Sequence, residues 1–372
     1  MRKIGLLASG TIWFGAAVSI AEIEAGCQAG GNWPALILGH LFGGILLFGA
    51  GLIGARTGQN AMETTGGTFG QPGVKFFALL NILQLVGWTA VMISQGARAI
   101  GALTNTAWTL WCLPLSVLIL LWMFGGHGGA SRLGTGCIIL LAILCAILTV
   151  HFCGHPAPEP LNSRPPQAFW TVFETSAAMS LSWLPLVSDY TKHATRPRMV
   201  PAVSAAVYTL TSLWMFSLGF FIADSGHSDL VKAVASMGHG TTLVGLFVIT
   251  LSTMTTTFFD VYSAGESAGT VSTHLKPRPV STLVCAIGMG LATFGIMDHY
   301  LGFLSLIASV FAPMAAVLLT DVYLVGKGHT RWNLLAWFVG FIVYQFAGIS
   351  PVGPTLTAIA VAGALTFIRR FI

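Results

Sequence analysis

Apolar stretches of about 20 residues recur along the whole chain, and this length matches the hydrocarbon core of a bilayer. Only 8% of the residues are Asp, Glu, Lys or Arg, whereas a soluble domain carries about 25%. The chain therefore lacks the charge to build a water-facing surface. We predict an all-α integral membrane protein, a single domain over 1–372, with about twelve spans near 8–27, 33–54, 75–104, 107–125, 133–153, 167–188, 201–222, 241–263, 280–296, 300–325, 332–348 and 352–370.

The positions of the basic residues indicate how these spans are oriented. If the N-terminus is cytoplasmic, all but three of the 17 Lys and Arg residues lie on the cytoplasmic side, as the positive-inside rule requires. The exceptions are Arg98, Arg164 and Lys232. We predict a multi-pass protein of the inner (plasma) membrane with both termini in the cytoplasm.

Several classes of function do not fit the sequence. The net charge of +5 reflects membrane orientation, so nucleic acid is not an expected partner. The six cysteines are scattered without CxxC spacing, which is typical of small buried side chains and not of a metal site. The chain has no HExxH motif, nucleophile–base set or cofactor-binding loop, so we predict that it is not an enzyme.

Two spans look interrupted. The first, Gly10 to Gly26, carries the carboxylates Glu22 and Glu24, and a charge at bilayer depth costs at least about 2.5–3.5 kcal/mol. The sixth contains small residues followed by Pro185, which removes a backbone donor.

These two breaks lie five spans apart, at matching positions of two inverted repeats. Paired breaks of this kind indicate a transport site for a polar solute near the midplane. We assign the first repeat to about 8–153, the second to about 167–325 and peripheral helices to about 332–370. The alternative is that the small residues only permit close helix packing.

The third span carries a polar stripe. At 100° per residue, Asn81, Gln84, Trp88 and Gln95 fall on one face. An indole stacks on a flat ring and amides read its nitrogens, so the stripe suits a heteroaromatic solute. Alternatively, these side chains only hydrogen-bond to neighbouring helices.

The eighth span carries hydroxyls beside a carboxylate. Ser252, Thr256 and Asp260 share one face, and Thr255 is close. Hydroxyls together with carbonyls of the broken first span, near Ala17 to Ala21, provide the oxygen ligands of a sodium site. The alternative is that the hydroxyls bond to carbonyls of their own helix.

The motifs in this order resemble the nucleobase:cation symporter-1 family, and within it the hydroxymethylpyrimidine transporters of thiamine metabolism. The resemblance covers nearly the whole chain. It implies a LeuT-like fold, a five-plus-five inverted repeat, with substrate held between spans one, three, six and eight. The motifs are Trp13–Glu22, Arg56–Met62, Gly87-Trp88, Ser182–Thr191, Tyr262–Gly265 and Phe311–Asp321.

The resemblance assigns the aromatic residue that stacks on the base to Trp88. Other positions depart from the family pattern: Met92 stands where some members have an amide, and Ser180, near Met179 and Ser182, where others have an aromatic residue. The asparagine of the eighth span has no counterpart, and Phe259 or Asp260 lies nearby. The sodium-site hydroxyls correspond to Thr255 and Thr256, or one turn earlier to Ser252 and Thr253.

These departures suggest a distinct ligand. Hydroxymethylpyrimidine has an exocyclic amine beside a ring nitrogen, and we hypothesise that the Glu22 carboxylate accepts a hydrogen bond from it. The predicted substrate contacts are Glu22, Gln84, Trp88, Met92, Met179, Ser180, Ser182 and Asp260, and the predicted sodium ligands are Ala17, Ile20, Ser252, Thr255 and Thr256.

We therefore predict a secondary active transporter that imports a pyrimidine by cation symport and alternating access. Sodium and proton coupling give the same sequence pattern. Alternatives are a permease for cytosine or another nucleobase, or a symporter for an amino-acid-like solute. Apart from the coupling cation no cofactor is expected, and the expected partners are the substrate and the lipid bilayer, with no obligate protein partner.

Overall fold

The structure, a computed structural model, describes residues 3–125, 132–153, 168–326 and 328–371, and they form helices joined by short connections. The proline-rich segment predicted as a linker near 154–168 lies almost entirely outside the described residues. The α-helices are α1 Leu6–Ala17, α2 Ile20–Ala29, α3 Trp33–Thr57, α4 Gly66–Thr104, α5 Cys112–Phe124, α6 Arg132–Cys153, α7 Phe169–Trp183, α8 Val187–Thr191, α9 Met199–Asp224, α10 Leu230–Ala235, α11 His239–Val271, α12 Pro277–Thr293, α13 Tyr300–Thr320, α14 Thr330–Phe346 and α15 Pro354–Ile368.

The predicted all-α membrane fold is confirmed, and each predicted span coincides with a helix or a broken pair of helices. Six helical segments within the described residues are long and apolar enough to cross a bilayer by themselves, and the bent pair α1–α2 makes a seventh. The remaining predicted spans correspond to shorter helices and, for the sixth span, to the broken pair α7–α8. Span limits differ in places: α11 continues to Val271, beyond the predicted end at 263, and Ser267 in this extension accepts a hydrogen bond from Asn81 of α4.

The first span is broken, as predicted. Helix α1 ends at Ala17 and α2 begins at Ile20, with an angle of 51° between them. Ser19 lies in extended conformation at the break, and its hydroxyl accepts a hydrogen bond from the main-chain N–H of Glu22. This N-cap stabilises a new helix start inside the protein, with Glu22 in its first turn.

The sixth span is broken in the same way. Helix α7 ends at Trp183, the residues 184–186 form a turn around Pro185, and α8 begins at Val187. Because proline lacks an amide hydrogen, it cannot continue the hydrogen-bond pattern of α7. Both interruptions therefore occur where the sequence predicts them.

Helices α2 and α9 approach so closely that their backbones touch. A β-carbon at Gly26 would collide with the main chain of Phe216, and one at Gly219 would collide with the main chain of Ile23. Small residues permit this approach in membrane helices. The contact fixes the half-helix α2, and with it Glu22, against α9.

Candidate functional site

A cavity lies beside both helix breaks. Its atom-free space, counted together with the part that opens to solvent, is about 370 Å³, and its walls come from α1, α2, α4, α7 and α11 with the connections at the breaks. The lining residues are Ala16, Ser19, Ala21, Glu22, Leu85, Trp88, Met92, Met179, Ser182, Trp183, Leu186, Thr256 and Asp260.

Glu22 lies in the wall and is only 1% exposed. Its Oε1 accepts a hydrogen bond of 2.8 Å from the Tyr208 hydroxyl, and its Oε2 accepts one of 2.7 Å from Ser212. Both donors are on α9, against which α2 packs. A buried carboxylate needs such donors to compensate for lost hydration, and each oxygen retains a lone pair for a ligand.

The hydrogen-bonded chain continues from Ser212 to a buried histidine. Nε2 of His40 lies 2.9 Å from the Ser212 oxygen, and Nδ1 lies 2.9 Å from the carbonyl oxygen of Leu36. Nδ1 must carry a hydrogen to bond that carbonyl. Ser212 has one hydrogen and two neighbours, so the chain is complete only if either Glu22 or Nε2 of His40 supplies another hydrogen.

Asp260 brings a second carboxylate to the cavity, from α11. It is 5% exposed, and its Oδ2 is buried without a hydrogen-bond partner among the described residues. An unpaired buried carboxylate oxygen is costly. The cavity therefore presents an acceptor that a donor from a ligand can satisfy.

Two indole rings form the apolar part of the wall. Trp88 of α4 packs edge-on against Phe303 and Tyr300, with ring centroids 5.4 Å and 6.1 Å away. Trp183, the last residue of α7, contacts Trp13 at 5.5 Å in a T-shaped arrangement. These contacts fix the two rings while leaving both on the cavity surface.

The structure brings six of the eight predicted substrate contacts into the wall, namely Glu22, Trp88, Met92, Met179, Ser182 and Asp260. Gln84 lies behind it: its Nε2 donates to Asn81 and to the carbonyl of Ser182, while its Oε1 is buried without a partner among the described residues. Ser180 packs against Gly43 of α3. A role for Gln84 and Ser180 in substrate binding remains a prediction.

The predicted sodium ligands lie in two places. Ala17 and Ile20 are at the break in the first span, and Ser252, Thr255 and Thr256 are in the middle of α11. Ala17 ends α1 and Ile20 begins α2. Thr256 lines the cavity, and its hydroxyl donates to the carbonyl of Ser252 at 3.0 Å. That bond uses the hydroxyl hydrogen and leaves oxygen lone pairs. Thr255 belongs to α11, but its side chain lies outside the described part of the structure.

Sequence reasoning missed several residues of the site. Trp183 and Leu186 flank Pro185, where a helical wheel no longer predicts direction. Tyr208 and Ser212 reach Glu22 from 186 and 190 residues away. Their spacing of four residues places both on one face of α9, which is the only local signal that the sequence offers.

Aromatic rings and an ion pair lie beyond the cavity on the predicted cytoplasmic side. Tyr190 packs between Trp13 and Phe259, with centroid distances of 5.8 and 5.9 Å. Below them the Lys192 ammonium contacts the Glu266 carboxylate at 2.6 Å. These contacts join the α8 segment to α11.

A larger, solvent-open cavity lies on the predicted extracellular side, and we call it the vestibule. It contains about 1210 Å³ of atom-free space and is lined by residues that include Glu24, Gln95, Arg98, Trp108 and Lys232. Gln95 lies one turn of α4 beyond Met92, which lines the central cavity.

Comparisons with known proteins agree with this geometry. No family model matches the chain. Over 352 residues it is 22% identical to the cytosine permease of Escherichia coli (strain K12), covering 90% of this chain and 82% of that protein. It is also 23% identical over 363 residues to a candidate purine-cytosine permease, YxlA, of Bacillus subtilis (strain 168), covering 88% and 77% of the two chains.

The fold matches that of a solved transporter. Mhp1 in its inward-facing conformation superimposes with a TM-score of 0.80 at 16% identity, covering 100% of this chain and 91% of Mhp1. A closed form of Mhp1, described as a nucleobase-cation-symport-1 family transporter with bromovinylhydantoin bound, gives 0.79 at 18% identity, covering 99% and 92%. The predicted resemblance to the nucleobase:cation symporter-1 family is thus confirmed: the chain is similar in sequence to cytosine permeases and has the LeuT-like fold of a solved transporter of that family. The closer resemblance to hydroxymethylpyrimidine transporters stays a prediction.

Proposed function

We propose that the chain imports a small pyrimidine with an exocyclic amine, hydroxymethylpyrimidine in particular, by cation symport. The observation that carries the proposal is the unpartnered Oδ2 of Asp260 at the cavity. An amine donor from the ligand would complete its hydrogen bonding, because a buried acceptor without a donor is unfavourable.

The rest of the cavity suits a flat ring with such an amine. Trp88 and Trp183 offer indole surfaces for stacking, and Glu22 retains acceptor capacity beside its two α9 donors. A carboxylate on α2 and another on α11 can therefore accept from the amine and from the ligand's hydroxyl. The sequence hypothesis for Glu22 is compatible with this arrangement.

A cytosine permease is the second candidate, and the relatives named above favour it. Cytosine also carries an amine beside a ring nitrogen, and its ring N–H can take the place of the hydroxyl as the second donor, so both carboxylates suit it equally well. An amino-acid-like solute fits less well, because its own carboxylate would meet Glu22 and Asp260 in a cavity whose lining contains no Lys or Arg.

For the coupling cation we propose a site formed by main-chain carbonyls near Ala17 and Ile20 together with hydroxyls of Ser252, Thr255 and Thr256. The break supports this proposal at Ala17, the last residue of α1, because the last carbonyls of a helix lack helical partners. The Ala17 carbonyl accepts from the main-chain N–H of Ser19 and keeps a second lone pair for a cation. Sodium would take these oxygen ligands. Proton coupling would use the carboxylates instead, and the transport assay separates the two.

The test is uptake into proteoliposomes that contain the purified full-length protein. Labelled hydroxymethylpyrimidine, cytosine and uracil are offered with sodium and proton gradients imposed separately. We expect saturable uptake of hydroxymethylpyrimidine under one gradient and no competition by uracil, which lacks the amine. Saturable uptake of cytosine alone would replace our substrate by the second candidate.

Variants connect the result to the cavity. Asp260→Asn and Glu22→Gln each remove a charged acceptor, so we expect the apparent affinity to fall about tenfold or more, as for a hydrogen bond to a charged group. Glu63→Gln is the matched control, because Glu63 lies in the loop helix before α4 and its carboxylate accepts a hydrogen bond from the main-chain N–H of Asn60. Full affinity in both cavity variants would refute the proposed recognition.

A further inference from the structure

Gln95 has an unusual environment at the inner end of the vestibule. It is 3% exposed and lines the vestibule wall, yet neither its Oε1 nor its Nε2 has a hydrogen-bond partner among the described residues. An amide whose donor and acceptor are both buried without partners is unfavourable unless something else binds it. This side chain is therefore poised to bind a ligand.

Most of the fixed charges of the vestibule are paired. Asp229 pairs with Lys232 at 3.0 Å, and Asp298 lies 3.7 Å from Arg98. The carboxylate of Glu24 accepts from the main-chain N–H of Leu230. Two cations and three carboxylates line the vestibule, so at most the one negative charge of Glu24 remains; this disfavours an anion and leaves room for a neutral ligand.

The neighbours of Gln95 suit a planar ring. Trp108 presents an indole at the vestibule, and the Arg98 guanidinium carbon lies 5.1 Å from the centre of that ring. The Nε of Arg98 is also buried without a partner among the described residues. A glutamine amide pairs in two-point fashion with an amine next to a ring nitrogen, since one group accepts while the other donates.

We propose that Gln95, Arg98 and Trp108 form a second, outer binding site for a neutral aminopyrimidine, which the solute occupies before it enters the central cavity. This inference rests on the proposed function. Gln95 is one helical turn from Met92, so a ring released from the outer site meets the wall of the central cavity directly.

Equilibrium binding of labelled hydroxymethylpyrimidine and cytosine to the purified full chain tests the inference. Trp88→Ala weakens the central site and leaves the vestibule intact, so we expect a residual binding component. Adding Gln95→Leu should weaken that component about tenfold or more, the effect of losing a two-point amide pair. Gln59→Leu, at an exposed residue after α3, is the matched control and should leave it unchanged.

A second variant, Ser182→Leu, narrows the central cavity without removing an aromatic ring and should give the same residual component if Trp88→Ala fails to fold. If a folded central variant shows no residual binding, the outer site is refuted. If residual binding persists at full strength with Gln95→Leu, the outer site is also refuted, and water would be the partner of the Gln95 amide. Both outcomes leave the proposed function standing as long as the wild type still takes up its substrate. A wild type that binds neither pyrimidine overturns the proposed function and the outer site together.

Discussion

The two hydrogen bonds that Ser212 makes, with Glu22 and with His40, allow one prediction to be worked out in detail. In Ser212→Ala the hydroxyl that lies 2.7 Å from Glu22 Oε2 and 2.9 Å from His40 Nε2 is lost. Glu22 then keeps only Tyr208 as a side-chain donor, and Nε2 of His40 loses its partner. Both groups remain buried in the protein.

The expected loss of stability follows from these two bonds. Removing the Ser212 hydroxyl leaves one buried polar atom of Glu22 and one of His40 without this partner, and each such atom costs about 1–3 kcal/mol or more if it is charged. We therefore expect the free energy of unfolding to fall by about 2–6 kcal/mol. Pyrimidine uptake should fall as well, because the carboxylate of Glu22 is no longer fixed.

Ser217→Ala is the matched control on the same helix. The Ser217 hydroxyl donates to the carbonyl of Leu213, one turn earlier, at 2.7 Å. Removing such a bond changes stability by about 0.5 kcal/mol or less. The assay is thermal unfolding of both variants in one detergent, where we expect Ser212→Ala to unfold at least about 2 °C below Ser217→Ala. Equal unfolding temperatures would refute the energetic role of the Glu22–Ser212–His40 chain.

Three further predictions concern helix contacts and charges away from the cavity. Gly219→Val should prevent folding or abolish uptake, because the new side chain meets the main chain of α2; protein yield and uptake measure this. Lys192→Gln and Glu266→Gln should each increase labelling of a cysteine placed in the central cavity from the predicted cytoplasmic side, and the exchanged pair Lys192→Glu/Glu266→Lys should restore protection; unchanged labelling would contradict a closing role. Burial raises the pKa of Asp229, but hydrogen bonds from Lys232 outweigh it and lower that pKa below its ordinary 3.8. Asp229→Ala should therefore cost about 0.5–2 kcal/mol at neutral pH through loss of the α10 cap, and the difference from wild type should fade only as the pH drops below about 3.8, which unfolding measured across pH will check.

The two helix breaks could be predicted because their causes are local. Carboxylates beside small residues in the first span, and Pro185 in the sixth, are visible in a single stretch of sequence. Helical spacing also predicts that Trp88 and Met92 share a face, and both line the cavity. The fold class follows from the length and number of the apolar stretches.

The partners of the polar groups could not be predicted, because they depend on contacts between distant spans. Helical spacing does not show that the amide nitrogen of Gln84 bonds to Asn81 and to the carbonyl of Ser182 at the second break. It also does not show which of two carboxylates retains an unpartnered oxygen. That difference arises because α9 supplies donors to Glu22, whereas the Oδ2 of Asp260 meets no donor among the described residues.

The backbone contact between α2 and α9 has a consequence for the alternating access that we propose. Because the main chains of α2 and α9 are in contact at Gly26 and Gly219, we expect the two helices to move as one rigid body during a conformational change. Tyr208 and Ser212 would then move together with Glu22. The carboxylate would keep both hydrogen-bond donors whether the cavity faces the outside or the cytoplasm.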